Sequence, residues 1–264
     1  MEVLLLGTGA ADGIPNPFCR CRTCTDHRER GEVRTPTSVL LDSRLLIDPG
    51  PEAPRQVTRL GRDLAELPAM LVGHAHDDHL DPAVLLHRSW VSDTPLEVVG
   101  PRPVVETARH WLETDQTAVR LTAVTAGETF ELAGYRVTAL PANHEAFGEA
   151  LCYLVEGADG GVLLYATDTG LLPERAWELL SGRRADIVLL EETFGPCADK
   201  GDRHLNFVTF AATVERLRAS GVVDDASRVV AVHLAHDNPP VPELAVELAR
   251  CGAEVLPDGA TITI

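Results

Sequence analysis

The chain has 264 residues, 45% hydrophobic and 24% charged, which suits a soluble globular fold with a sizeable core. No run of 18 apolar residues occurs, so no membrane span is expected. The formal net charge of −17 disfavours bulk binding to nucleic acid, although carboxylates gathered round metal cations overstate the true negative charge.

The chain opens on an apolar strand, Val3–Leu6, that runs at once into Gly7-Thr8-Gly9. No basic stretch precedes it, so it reads as strand and turn rather than export signal, and a cytoplasmic location is expected. Next comes Cys19-Arg-Cys21-Arg-Thr-Cys24 in a Pro- and Arg-rich loop at about residues 15–34. Without export, disulfides are not expected, and three thiols within six residues read as metal ligands. Cys152, Cys197 and Cys251 read as small buried hydrophobes. Ser38–Asp42 and Leu45–Asp48 predict a hairpin turning at Ser43-Arg44. Asp48 itself is placed either to accept a hydrogen bond from a metal-bound histidine or simply to turn the chain.

Ala69–Gly73 is a further strand, followed by Asp81-Pro82 as the start of a helix over Val84–Trp90. Strands are then expected at Leu96–Val99, Val119–Val124, Thr129–Leu132, Arg136–Leu140, Leu151–Val155, Val162–Ala166, Ile187–Leu190, Arg228–Val232 and Ala260–Ile264. Pro103, Pro173 and Pro242 mark first helical turns, and Gly182, Gly221 and Gly252 mark stops. Phe207–Ala219 is the clearest amphipathic helix, with Phe207, Phe210, Val214 and Leu217 on one face. Strands and helices mix along the whole length with no linker. This predicts one α/β domain over 1–264, two sheets with helices outside.

The strand Ala69–Gly73 ends in His74-Ala-His76-Asp-Asp78-His79. Residues two apart at a strand end point to one side. Four potential ligands in six residues exceed what a solvated turn requires, and imidazole with carboxylate suits Zn, Mn or Fe better than Ca or Mg. His144, Asp168 and His233 each follow an apolar strand and precede a turn. Singly, each could be a strand-end polar residue; beside the central motif they read as further ligands on the same rim.

This pattern, His74-x-His76-x-Asp78-His79 followed by His144, Asp168 and His233, resembles the metallo-β-lactamase fold hydrolase superfamily, a four-layer αββα sandwich. The resemblance spans nearly the whole chain. It implies a first metal on His74, His76 and His144, a second on Asp78, His79 and His233, and Asp168 bridging both. It also implies a hydroxide between the metals as nucleophile, with zinc or manganese as the metals. The redox di-iron branch carries Glu where this chain has His76, which favours hydrolysis.

The cysteine trio, with a late His233-x-x-His236, resembles a narrower branch, the phosphodiesterases typified by the phosphoribosyl 1,2-cyclic phosphate phosphodiesterase of the carbon–phosphorus lyase pathway. That resemblance implies a structural zinc on Cys19, Cys21, Cys24 and His236. His27 is the only near-neighbour alternative for the fourth place. His204, in Asp-Arg-His204-Leu-Asn206, is the candidate acid for the leaving group. The catalytic set is then His204, Asp78 and Asp168. The expected partner is a small cyclic or nucleotide-like phosphodiester, with segments Phe18–Arg34, Glu145–Glu149 and Glu192–Arg203 lining the pocket. No membrane or nucleic-acid partner is expected, and a homodimer stays open. Competing readings are a tRNA 3′-processing nuclease, a thioester or lactone hydrolase, and a non-catalytic accessory protein akin to one of pyrroloquinoline quinone biosynthesis. The acidic charge and the lack of a basic insertion weigh against the nuclease.

Overall fold

A computed structural model of the protein describes residues 1–112, 118–144 and 148–264. Residues 145–147 of the expected pocket segment Glu145–Glu149 therefore lie outside the described residues. In chain order the elements are β1 (Glu2–Gly7), α1 (Arg22–Arg30), β2 (Ser38–Leu41), β3 (Leu45–Ile47), α2 (Ala53–Arg59), β4 (Ala69–Leu71), α3 (Ala83–Ser89), β5 (Leu96–Gly100), α4 (Arg102–Arg109), β6 (Val119–Ala123), β7 (Thr129–Leu132), β8 (Tyr135–Pro141), β9 (Leu151–Gly157), β10 (Val162–Ala166), α5 (Glu174–Leu180), β11 (Ile187–Glu191), α6 (Phe207–Ala219), β12 (Arg228–Val232), α7 (Val241–Ala249), β13 (Glu254–Val255) and β14 (Thr261–Thr263).

The strands form two seven-stranded sheets, ordered β14-β1-β2-β3-β4-β5-β6 and β13-β12-β11-β10-β9-β8-β7. Each sheet is antiparallel on one side and parallel on the other; the change falls at β3 in the first and at β10 in the second. Central strands are apolar on both faces because both faces are covered: β2, β3, β4 and β11 are buried at every position. One apolar cluster lies between the sheets, taking Leu5, Val39, Ile47 and Leu71 from one and Val137, Tyr153, Leu189 and Val230 from the other. A second packs Leu164, Val188 and Ala231 under α5, α6 and α7. A third packs Leu46, Met70 and Val98 under α2, α3 and α4. The layers run helix, sheet, sheet, helix, the αββα sandwich expected. Phe210, Val214 and Leu217 of α6 are fully buried, each worth about 1.5–3 kcal/mol of apolar burial.

Three local readings are corrected. The cysteine segment holds a helix, α1, where only a loop was expected. Its N-cap is Cys21, whose Sγ accepts from the Cys24 N–H, and it stops at Gly31 in the left-handed region at φ +67°. The segment is polar nearly all round, so hydrophobic period gave no warning. The β2–β3 hairpin turns one residue earlier than read, at Asp42 and Ser43, both with positive φ, closed by Arg44 N–H to Leu41 O at 2.8 Å. Helix α3 starts at Ala83, with the Asp81 carboxylate accepting from the Ala83 N–H at 3.0 Å. Elements α2 and β13, too short for a periodic signal, were not read. No helix among the described residues is long and apolar enough to cross a membrane.

Candidate metal centre

Strand direction gathers the site. β3 and β4 are parallel neighbours in one sheet, and β10, β11 and β12 are parallel neighbours in the other. β8 runs in the same direction as β10, because both are antiparallel to β9. Their C-terminal ends therefore share one rim, where open α/β sheets place ligands. Asp48 follows β3, residues 74–79 follow β4, His144 follows β8, Asp168 follows β10, Glu191 closes β11 and His233 follows β12. Asp48, Asp168 and His233 have φ of 52°, 50° and 55°. Non-glycine residues enter this region at a cost of order 1–3 kcal/mol, which the packed surroundings must offset. Two glycines let neighbouring chain approach: a Cβ on Gly50 would lie 2.0 Å from Asp78 O, and one on Gly170 2.1 Å from Asp202 O.

Two groups of ligand atoms result. His74, His76, His144 and Asp168 bring one ligand atom each to within 4.8 Å of one another, as do Asp78, His79 and His233. In the first, His76 Nδ1 lies 2.8 Å from His74 Nε2 and 3.2 Å from His144 Nε2. In the second, Asp78 Oδ2 lies 3.1 Å from His79 Nε2 and 3.4 Å from His233 Nε2. Asp168 stands between them. Its Oδ1 is 3.7 Å from His144 Nε2, while its Oδ2 is 2.7 Å from His79 Nε2 and 3.2 Å from His233 Nε2.

The donor chemistry fits a pair of cations. Burial lowers the pKa of His74, His76 and His144, which favours the neutral imidazole, the form that binds a metal. His79 Nδ1 lies 2.6 Å from Asp48 Oδ2, and a carboxylate only accepts, so the proton sits on Nδ1. That leaves the Nε2 lone pair facing oxygens of Asp78 and Asp168. Among the described residues, His79 Nε2 and Asp168 Oδ2 are buried without a hydrogen-bond partner. Burial would lower the His79 pKa, but the charges of Asp78, Asp168 and Asp48 raise it well above its ordinary value. The site draws positive charge to this point, which a divalent cation would supply.

The supporting groups fix the ligating nitrogens. Asp48 is fully buried and also accepts from Gly73 N–H at 2.7 Å and Tyr165 OH at 2.7 Å. Glu191, also fully buried, takes N–H bonds from Thr169 and Gly170 on Oε1, and from His204 Nδ1 at 2.9 Å and Thr193 OH at 2.6 Å on Oε2. Since the Thr193 hydroxyl donates to Glu191, it accepts from His233 Nδ1, 3.0 Å away, and His233 Nε2 is left as the ligand. Glu191 and Thr193 were not singled out from the sequence.

His204 stacks on His233 with ring centroids 5.3 Å apart and planes 10° apart, and meets the Phe194 ring edge-on. It also forms a third potential ligand group with Asp168 and His233. Burial would lower its pKa, but the Glu191 carboxylate outweighs this and raises it to about 9.

The sulfurs of Cys19, Cys21 and Cys24 also lie within 4.8 Å of one another, and all three thiols are free. Burial pushes Cys24 up to about 12, while the Cys21 N–H holds Cys19 down. His236 is not brought into this group. Its Nδ1 lies 3.0 Å from Asp12 Oδ2, although its backbone carbonyl accepts from Cys21 Sγ at 3.6 Å. His27 is buried three residues after Cys24, also outside the group.

The family model for the beta-lactamase superfamily domain matches residues 43–234. Among curated relatives, an octanoyltransferase of Porphyromonas gingivalis is 38% identical over 84 residues, covering 30% of this chain and 16% of its own. Ribonuclease Z of Mycobacterium marinum is 27% identical over 191 residues, 64% of this chain and 63% of its own. The chain thus spans less than two thirds of either of these relatives. Coenzyme PQQ synthesis protein B of Cupriavidus taiwanensis is 28% identical over 99% of both chains. Two solved structures share the fold at TM-score 0.78. One is a diphosphatase from the PhnP family (23% identity, 100% of this chain and 97% of the other). The other is zinc-bound PqqB from Methylobacterium extorquens (22% identity, 100% of both).

Proposed function

This chain belongs to the metallo-β-lactamase superfamily of metal-dependent hydrolases, and from that premise we propose that it is a dinuclear phosphodiesterase acting on a small cyclic or nucleotide-like phosphodiester. The observation that carries the reading is the His204–Glu191 pair set against Asp168 and His233. An alkoxide leaving phosphorus needs a proton, whereas a thiolate leaving a thioester does not. A histidine oriented by a buried carboxylate beside the ligand groups suits the first task.

His74, His76 and His144 would hold one divalent ion, Asp78, His79 and His233 the other, and Asp168 would touch both. Such a pair, when bound, polarises the phosphoryl group and makes water acidic enough to attack near neutral pH. Asp48 and Thr193 would hold the Nδ1 atoms of His79 and His233, leaving Nε2 of each aimed at the metal. Glu191 orients His204 and favours its charged, proton-donating form. A structural zinc would take Cys19, Cys21 and Cys24, with His236 turning from Asp12 to complete four-coordination.

The likeness to a PhnP-family diphosphatase supports phosphorus chemistry. The net charge of −17 weighs against a tRNA substrate despite the ribonuclease Z relatives. A second reading, a biosynthetic accessory protein, is favoured by the full-length similarity to coenzyme PQQ synthesis protein B. Phosphorus NMR of a five-membered cyclic ribose phosphate incubated with the metal-loaded protein tests the proposal. Ring opening to a monoester without release of inorganic phosphate is expected. An intact ring alongside hydrolysis of a lactone or thioester would overturn it.

A further inference from the structure

Asn238, five residues beyond His233, is 2% exposed. Its Nδ2 donates to Glu192 O at 3.1 Å and to Thr193 O at 3.2 Å. Its backbone carbonyl accepts from the Thr23 hydroxyl, one residue from Cys24 in α1. Gly195 sits so close that a Cβ there would lie 3.0 Å from Asn238 Cα. The segment 233–238 is therefore clamped between the cysteine helix on one side and residues 192–195 on the other. Thr193 passes that constraint into the site, because its hydroxyl joins His233 Nδ1 to Glu191, and Glu191 holds His204.

We propose that Asn238 is a positioning residue for the reaction. By fixing the Glu192–Thr193 backbone it aims His233 at the second ligand group and His204 at the leaving group, and it anchors both to the cysteine helix. A buried amide that spends both hydrogens on two successive carbonyls fixes the direction of that backbone. Thr193 OH can satisfy His233 and Glu191 together only if that direction is kept. The inference rests on the dinuclear phosphodiesterase reading for its kinetic consequence and on the ligand geometry alone for its effect on metal binding.

The test is Asn238→Ala in the full chain, loaded with zinc, with two readouts. In the first, chelator competition follows the metals released. One metal of the dinuclear pair should leave at about tenfold lower chelator concentration than in wild type, the low end for loss of an outer partner of a metal ligand. The cysteine-bound metal should be retained as in wild type. In the second, turnover of a cyclic ribose phosphate is compared with that of bis(p-nitrophenyl) phosphate. The alkoxide-releasing substrate should lose about tenfold more kcat, since p-nitrophenolate departs with little help from an acid. That excess should vanish in a His204→Ala background. If Asn238→Ala does not fold, Thr23→Val removes the hydroxyl anchor alone and should shift metal release in the same direction. Unchanged metal release, or equal losses on both substrates, overturns the proposal. If wild type cleaves neither diester, the phosphodiesterase reading fails, and metal release still decides the role of Asn238.

Discussion

Replacing Glu192 by Gln should stabilise the protein, and by an amount that grows with pH. The Glu192 side chain is fully buried; Oε1 accepts from Gly195 N–H at 3.0 Å, but among the described residues neither Oε2 nor Asn238 Oδ1 has a hydrogen-bond partner. A protonated Glu192 has a donor to offer the Asn238 amide, which the carboxylate lacks. Burial pushes its pKa up from 4.5 to about 8. The folded value is raised, so the contribution to stability is complete below about pH 4.5, declines as pH rises to about 8, and then levels off. Each unit of that interval is worth ~1.4 kcal/mol, giving ~3 kcal/mol at pH 7 and at most ~5 kcal/mol at pH 8. Glutamine keeps the shape, has nothing to ionise and brings its own N–H donor. Urea unfolding of the metal-loaded wild type and the Glu192→Gln protein at pH 5, 6, 7, 8 and 9 measures the difference. It should be small at pH 5, grow through pH 8 and stay level beyond. A difference independent of pH, or a variant less stable than wild type at pH 8, would refute the reasoning.

Asp168→Ala removes the carboxylate that faces both ligand groups; turnover should fall to background and the dinuclear metal content should drop, measured by elemental analysis. Asp48→Asn keeps the shape but replaces the anion that holds His79 Nδ1; metal affinity should weaken about 10–100-fold in chelator titration. Cys21→Ser should remove one metal equivalent and lower the unfolding midpoint, because a structural zinc contributes folding free energy. Full stability with unchanged metal content in that variant would end the structural-zinc assignment.

The parts of the fold and site that follow a local pattern were readable. Ala69–Gly73 and the ligand run after it are contiguous, and the apolar strands before His144, Asp168 and His233 announce strand ends. The bounds of the α6 helix were legible to the residue from its periodic apolar face; its cap, Asn206, comes from the structure. What was missed lacks such a pattern. Glu191 ends a fully buried strand and makes its bonds to residues 169, 170, 193, 204 and 205, contacts that only tertiary folding creates. Asp48 could be read as a turn residue, because its left-handed φ is imposed by the sheet around it. Helix α1 escaped because its cap is a cysteine and its buried face is only Thr23, Cys24 and His27. His236 lies beside the cysteine trio in the chain's path, yet its ring faces Asp12, a rotation that sequence does not encode.

The central claim is tested most directly by one sample assayed for metal and for turnover of bis(p-nitrophenyl) phosphate, p-nitrophenyl phosphate, a nitrophenyl carboxyl ester and a lactone. A dinuclear phosphodiesterase with a structural zinc predicts about three metals per chain and chelator-sensitive cleavage of the diester, with little action on the rest. Full metal loading with no diester cleavage would contradict it: turnover of the carboxyl ester or lactone would assign the site to acyl chemistry, and no turnover at all would leave the accessory-protein reading in its place.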